Sequence, residues 1–358
     1  MKRGVFAVGI DANPSSCFAA RVKTNWSLKP ARLLNLLLQV RSTYGRMLEA
    51  RPSDDPTFRY LASSGMLKRG WISKRPLDKA LALKASIHAL RTSKAYRDAL
   101  MLALVSEVIS SASNIRFGPE PYCGPKKRDS DLLNAFTRRV RNMAQALEVL
   151  AEMDVAEAAV FEGDSRHCGE VLPKSTRRRF SAIICSPPYP AEHDYTRHSR
   201  LELSFLGAVS NRETLQNIKK AMLRSHTKGI YKGDNDNIHL RRTRRLDRIV
   251  SKGAAKAATK THGFARLYST VIQEYFGGMK RHLTSVFPLL SPGANCAYVV
   301  GDQSCYLQVH IPTAQILSEI ATDVGFVNVS IEHWRTRRST TTSRMIDENI
   351  LLFKKPLA

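Results

Sequence analysis

The chain has 358 residues, 43% of them hydrophobic, which is enough for one large or two ordinary domains with a buried core. Its 56 Lys and Arg against 31 Asp and Glu give a formal charge of +25, well beyond what solubility asks for, so a polyanion is the natural partner. Six scattered cysteines without CxxC or paired Cys/His spacing argue against a metal site and a disulfide framework; with no signal peptide and no apolar run of transmembrane length, a cytoplasmic protein is expected.

In chain order, "GVFAVGID" (4 to 11) reads as a buried strand ending in an acid. Residues 30 to 153 are helical in period, with breaks near Pro30, Pro52 and Gly70 and a Gly/Pro-rich loop at 116 to 130, and they predict a helical insertion. "AAVFEGDSR" (158 to 166) predicts a strand ending at Gly163 and Asp164, and "FSAIIC" (180 to 185) another. Residues 208 to 263 are polar and basic and predict a flexible loop region, with "HTKGIYKGDNDN" its most mobile part. A helix over 265 to 290 leads into "NCAYVVGD", a strand ending at Asp302; a helix ending at Gly325 and a strand pair close the chain. Alternating strands and helices make the class α/β with a mainly parallel sheet.

The strand at 180 to 185 runs into Ser186, Pro187, Pro188 and Tyr189. Proline has a fixed φ and no N–H, so two in a row end the strand in a stiff turn whose carbonyls point in set directions. Such a turn at the C-terminal edge of a parallel strand lies where open α/β sheets hold ligands. Asp11, Asp164 and Asp302 share that placement; an acid there accepts two hydrogen bonds from a ribose, and equally serves as a helix cap. Basic clusters stand at 174 to 180, 239 to 248 and 333 to 344.

These residues resemble the amino-methylating DNA methyltransferases that use S-adenosylmethionine. "SPPY" (Ser186, Pro187, Pro188, Tyr189) is similar to their catalytic motif in its N4-cytosine form. "GIDANP", with Asp11 and Asn13, resembles the motif after their second strand, whose acid binds the cofactor ribose. "EGDSR", with Gly163, Asp164 and Ser165, resembles the motif after the third, whose acid contacts the cofactor adenine. The resemblance extends to "HDYTRHSRLELSFLG", "LSPGANCAYVVGD" and the final strand pair. It implies a Rossmann-like methyltransferase sheet with a catalytic domain over 1 to 29 and 154 to 358, and double-stranded DNA as partner. Tyr195, Arg197, Arg200, Arg241, Arg242, Arg244 and Arg245 are candidate nucleic-acid contacts, no metal is called for, and no membrane is expected.

The family's glycine-rich cofactor turn, which follows its first strand, is not found, because ten residues precede Asp11 and they form the second strand. In the family the first strand lies centrally, between the second strand and the one that carries the catalytic motif. Its loss is expected to leave the sheet in two halves with unpaired backbone groups. A late start codon, a separate polypeptide supplying the piece, and an inactive copy are the three readings. The function implied is methyl transfer to the exocyclic amino group of a DNA base, N4 of cytosine, in a restriction-modification or solitary modification system. An RNA base N-methyltransferase and a non-catalytic DNA-binding subunit are the alternatives.

Overall fold

The structure is a computed structural model, and it describes residues 4–50, 54–118, 120–153, 155–176, 180–241, 243–260, 264–304, 306–338, 343 and 345–357. Arg242, Arg177 to Arg179, Cys305 and Arg344, all within segments singled out above, lie outside the described residues.

The first elements are β1 (Ala7–Asp11), α1 (Pro14–Lys23), α2 (Pro30–Glu49), α3 (Pro56–Ser63), α4 (Lys74–His88) and α5 (Lys94–Glu107). The short strands β2 (Ile115–Arg116) and β3 (Tyr122–Cys123) precede α6 (Leu132–Ala151), β4 (Ala158–Glu162), α7 (Cys168–Val171) and β5 (Phe180–Cys185). Then come α8 (Tyr195–His198), α9 (Arg200–Phe205), α10 (Arg212–Ala221), α11 (Arg244–Ala258) and α12 (Tyr268–Val286). The last are β6 (Leu290–Gly301), α13 (Thr313–Val324), β7 (Val327–Arg338) and β8 (Met345–Lys354).

The chain divides into two compact units, residues 1–162 with 196–218, and residues 163–195 with 219–358. These bounds differ from the expected ones at 29/30 and 153/154. In the first unit the helices over 30 to 151 do not stand apart: their core residues Leu33, Leu37, Leu81, Leu104 and Phe136 form one cluster with Leu201, Leu203 and Phe205 of α9. Helix α6 shows why, since Leu132, Phe136, Val140 and Ala144 recur every four residues and all are buried on one stripe. Prolines at the first position of α1, α2 and α3 cost no hydrogen bond, and the Asn13 and Asp55 side chains cap α1 and α3. Strands β1 and β4 pair in parallel with Asp11 beside Glu162, and among the described residues β1 has no other strand partner.

In the second unit the strand order is β5-β6-β8-β7, with β5 parallel to β6 and the remaining pairs antiparallel. Its core joins Tyr275, Phe276 and Met279 of α12 to Cys296, Tyr298 and Val300 of β6 and Phe353 of β8. Gly277 lets α12 approach closely, because a Cβ there would stand 2.1 Å from the Asp236 carbonyl oxygen. Strand β5 is an edge among the described residues, and Ile184 on it is 87% exposed.

The segment expected to be the most mobile is held by buried charge. Arg224 donates to both carboxylate oxygens of Asp234, at 2.8 and 2.7 Å, and Arg224, Ser225, Thr227 and Asp236 are all buried. Helices α10 and α11 occupy much of the rest of 208 to 263, with the Thr243 side chain capping α11. Periodicity misses such a segment because its order comes from ion pairs rather than from an apolar stripe.

Candidate active site

In the second unit β5 delivers Ser186 to Tyr189 at its C-terminal end. Pro187 and Pro190 are buried while Ser186 is exposed, so the stiff part of the turn is packed and the hydroxyl is presented. Ser186 hydrogen-bonds the Tyr189 phenol through its side chain. Burial and the Glu348 carboxylate push that phenol above its ordinary range, against Ser186, Arg337 and Arg335, so the ring stays neutral. The Tyr189 ring lies over Gly301 at the end of β6, where a Cβ would come within 2.9 Å of Cε2.

A further layer fixes the turn. Glu192 has φ 57°, a left-handed conformation that a non-glycine residue adopts only when its surroundings hold it. Its N–H donates to the Ser225 carbonyl at 2.9 Å and lies 3.3 Å from the Tyr306 hydroxyl. Its carboxylate accepts from the Thr227 amide at 3.1 and 3.0 Å and from the Thr227 hydroxyl. Tyr306, fully buried, donates to the Ser225 carbonyl at 2.7 Å. Asp194, also buried, accepts from Lys219 at 2.6 Å with His226 at 3.8 Å, and burial pushes His226 down to about 4. Tyr195 is 37% exposed, and its hydroxyl accepts from the Tyr189 amide at 3.3 Å.

Gly163, Asp164 and Ser165 also belong to the second unit. A Cβ on Gly163 would stand 2.5 Å from Val171 Cγ2, so any larger residue there would press on the Val171 side chain. Asp164 is engaged rather than open: Arg166 donates to its Oδ1 from the amide at 2.8 Å and from Nε at 2.9 Å, and to its Oδ2 at 2.6 Å. Arg166 also meets the buried Asp236, which Arg281 shares. Burial works against the Asp236 charge, but the two guanidinium groups outweigh it and hold its carboxyl below the usual range. A cleft of about 600 Å³ opens beside this cluster, lined by Arg166, His167, His239, Lys280 and Arg281, with Lys280 and Arg281 paired to Asp323 and Asp236. Asp302 caps α13 by accepting the Thr313 amide at 3.0 Å, the capping role open to any such acid.

In the first unit Asp11 accepts the Asn13 amide at 2.7 Å, and Asn13 caps α1 while its Nδ2 donates to Ser199 at 3.0 Å. Arg197 pairs with Glu120 at 2.8 Å, and Arg200 folds back onto Thr196 at 3.0 Å. Of the basic cluster in the second unit, Arg245 donates to Glu319 of α13 at 2.7 Å and Arg241 reaches Asp323 at 3.7 Å, while Arg244 is exposed. No three His, Cys, Asp or Glu side chains among the described residues are grouped to hold a metal.

The chain is similar to Type II methyltransferases. It is 27% identical to the Type II methyltransferase M.BsoBI of Geobacillus stearothermophilus over 207 residues, covering 52% of this chain and 40% of that protein. It is 28% identical over 170 residues to the Type II methyltransferase M.AvaI of Nostoc sp. and to that of Anabaena variabilis, covering 44% of this chain and 33% of each. The chain therefore spans well under half the length of the curated relatives it matches. No family model and no solved structure matches it. The mixed α/β architecture is compatible with a methyltransferase fold.

Beside the Type II methyltransferase likeness, several supporting residues carry no sequence signal. Glu192, Thr227 and Tyr306 are far apart in the chain and meet only through folding. Gly301 is legible only as a glycine at a strand end, and Arg166 only as the basic residue that follows "EGDS".

Proposed function

We propose that this chain carries out methyl transfer from S-adenosylmethionine to the exocyclic amino group of a DNA base, N4 of cytosine, as the modification part of a restriction-modification or solitary system in the cytoplasm. The observation that supports it best is the Ser186–Tyr189 turn, presented at a strand end and fixed from behind by Glu192, Thr227 and Tyr306.

A base amino group is a weak nucleophile because its lone pair is delocalised into the ring. Acceptors that take its hydrogens favour a tetrahedral nitrogen, and they work best when already in place. Ser186 Oγ and the carbonyl between the two prolines are such acceptors. The Tyr189 ring, neutral and held over Gly301, offers a face for stacking a base taken out of the duplex. When bound, S-adenosylmethionine supplies an electrophilic methyl group.

The fit to that cofactor is uneven. Asp11 stands at the exposed end of β1 and, of its two carboxylate oxygens, Oδ1 takes the Asn13 amide; the other suits a ribose hydroxyl. Asp164 suits the cofactor adenine less well, since Arg166 holds both its oxygens.

The test is methyl transfer from labelled S-adenosylmethionine to unmodified duplex DNA by the full-length protein, with the product nucleosides separated. Label in N4-methylcytosine that disappears in Ser186→Ala supports the reading. Label in N6-methyladenine corrects the base, and no label on DNA from protein that binds the cofactor refutes the proposal.

A further inference from the structure

Among the described residues strand β7 is the other edge of the four-stranded sheet, and most of its residues are exposed. Its register with β8 breaks between His333 and Arg335, which leaves Trp334 as the extra residue of a bulge. A bulge re-aims the side chain it carries and changes which residues share a face. Accordingly His333 Nε2 meets Thr336 Oγ1 at 2.9 Å, on one face with Asp347, while Arg335 and Arg337 reach Glu348. Trp334 is 50% exposed, whereas Trp71 is 7%. The Arg335 guanidinium lies 4.4 Å from the Trp334 ring centroid.

Through Glu348 and Gly301 this pair is linked to the Ser186–Tyr189 turn. Glu348 is 4% exposed, and its Cγ and the Tyr189 ring edge both border Gly301, at 3.3 and 2.9 Å from the point where a Cβ would stand. Two guanidinium groups on one buried carboxylate leave a positive charge in excess, and exposed Arg338 adds another. The acids of the hairpin besides Glu348 are Glu332 and Asp347, and Asp347 faces His333. An indole pre-stacked with a guanidinium, half-exposed on a basic strand, offers a π surface and phosphate donors together.

We propose that Trp334 with Arg335 is a stacking platform for an unpaired nucleobase, and that Arg337 and Arg338 contact the phosphates of the same strand. The platform would hold the nucleotides that lose their stacking partner when a neighbouring base is drawn to Tyr189, and in this it rests on the reading of the chain as a base methyltransferase. A β7 edge that paired instead with a second copy would use the backbone and not the indole face.

The experiment is titration of full-length protein carrying Ser186→Ala, which needs no turnover, with a short single-stranded oligonucleotide, followed by tryptophan fluorescence. Stacking on Trp334 quenches emission. Trp334→Ala removes that quenched component and weakens binding roughly 10- to 100-fold, and Trp334→Tyr restores most of the affinity. Arg338→Gln lowers the salt slope by about one. Unchanged affinity in Trp334→Ala, or a fall in oligomeric state by light scattering without oligonucleotide, overturns the inference. Methyl transfer by the otherwise unmodified enzyme is measured separately. Turnover with Trp334-independent binding refutes the platform alone, and Trp334-dependent binding without turnover refutes the enzymatic reading alone.

Discussion

A single methyl group at residue 301 would press on the ring that the proposed chemistry uses. In Gly301→Ala the new Cβ would sit 2.9 Å from Tyr189 Cε2 and 3.3 Å from Glu348 Cγ, so the ring must tilt or slide. We expect the fold to survive, because the ring edge can give, and methyl transfer to fall by an order of magnitude or more. Circular dichroism with a turnover assay checks both halves. Glu192 makes the complementary case. Glu192→Ala removes the acceptor for the Thr227 amide and hydroxyl and leaves an alanine at φ 57°. The expected result is a fall in kcat with the KM for DNA little changed, since the proposed phosphate contacts lie elsewhere. An unchanged kcat would show that the turn holds its shape without the clamp. Ser186 and Tyr189 were legible as a motif; Gly301 and Glu192 were not, because their roles depend on which distant residue the fold brings against them.

Among the elements, those with an apolar stripe, a proline start or a glycine stop were readable: α6 by its four-residue spacing, α3 by Asp55-Pro56, α13 by Gly325 with φ 106°. The stretch from Arg224 to His239 was not, since its residues are polar and only the folded state shows that their charges are matched. Arg224 donates to Asp234 while also reaching the Met222 carbonyl at 2.6 Å, and Tyr231 lies 5.6 Å from its guanidinium. Arg224→Ala should therefore leave the half-buried Asp234 carboxylate without its cation, at a cost of roughly 1–3 kcal/mol. Amide hydrogen exchange over 222 to 240 should quicken well before the core of α12 does; uniform exchange across both would argue against a separately anchored segment. Gly277 links that segment to α12, and Gly277→Ala, with a Cβ 2.1 Å from the Asp236 carbonyl oxygen, should disturb both.

At the level of the whole chain, the mixed α/β class could be read from the sequence, but the division into compact units could not. Each unit is built from separated stretches, so composition shifts along the chain do not mark its borders. The units should also respond to pH in opposite senses. Burial pushes His226 of the second unit down to about 4, from 6.5. The unfolded chain then binds the proton first, and stability is lost as pH falls from 6.5 towards 4, by roughly 3 kcal/mol. Burial pushes Glu202 of the first unit up to about 7, from 4.5. There the folded state holds the proton longer, and stability is lost as pH rises from 4.5 to 7, by a similar amount of roughly 3 kcal/mol. Calorimetry between pH 4.5 and 7 should show two transitions whose order depends on pH, and His226→Gln and Glu202→Gln should each flatten one of them. A single transition with no pH dependence in either variant would count against both assignments.

The interleaving of the units has a consequence for synthesis. Strand β5 is complete at Cys185, yet β6, the strand it pairs with, begins only at Leu290, on the order of a hundred residues later. At ribosomal speeds that interval is roughly 5–20 s. Throughout it the nascent chain carries Phe180, Ile183 and Ile184 on a strand without a neighbour, while residues 196 to 218 are already available to finish the other unit. The order of emergence thus makes the segment bearing Ser186 the part of its own sheet that waits longest for a neighbour, and the one most in need of chaperone cover during translation.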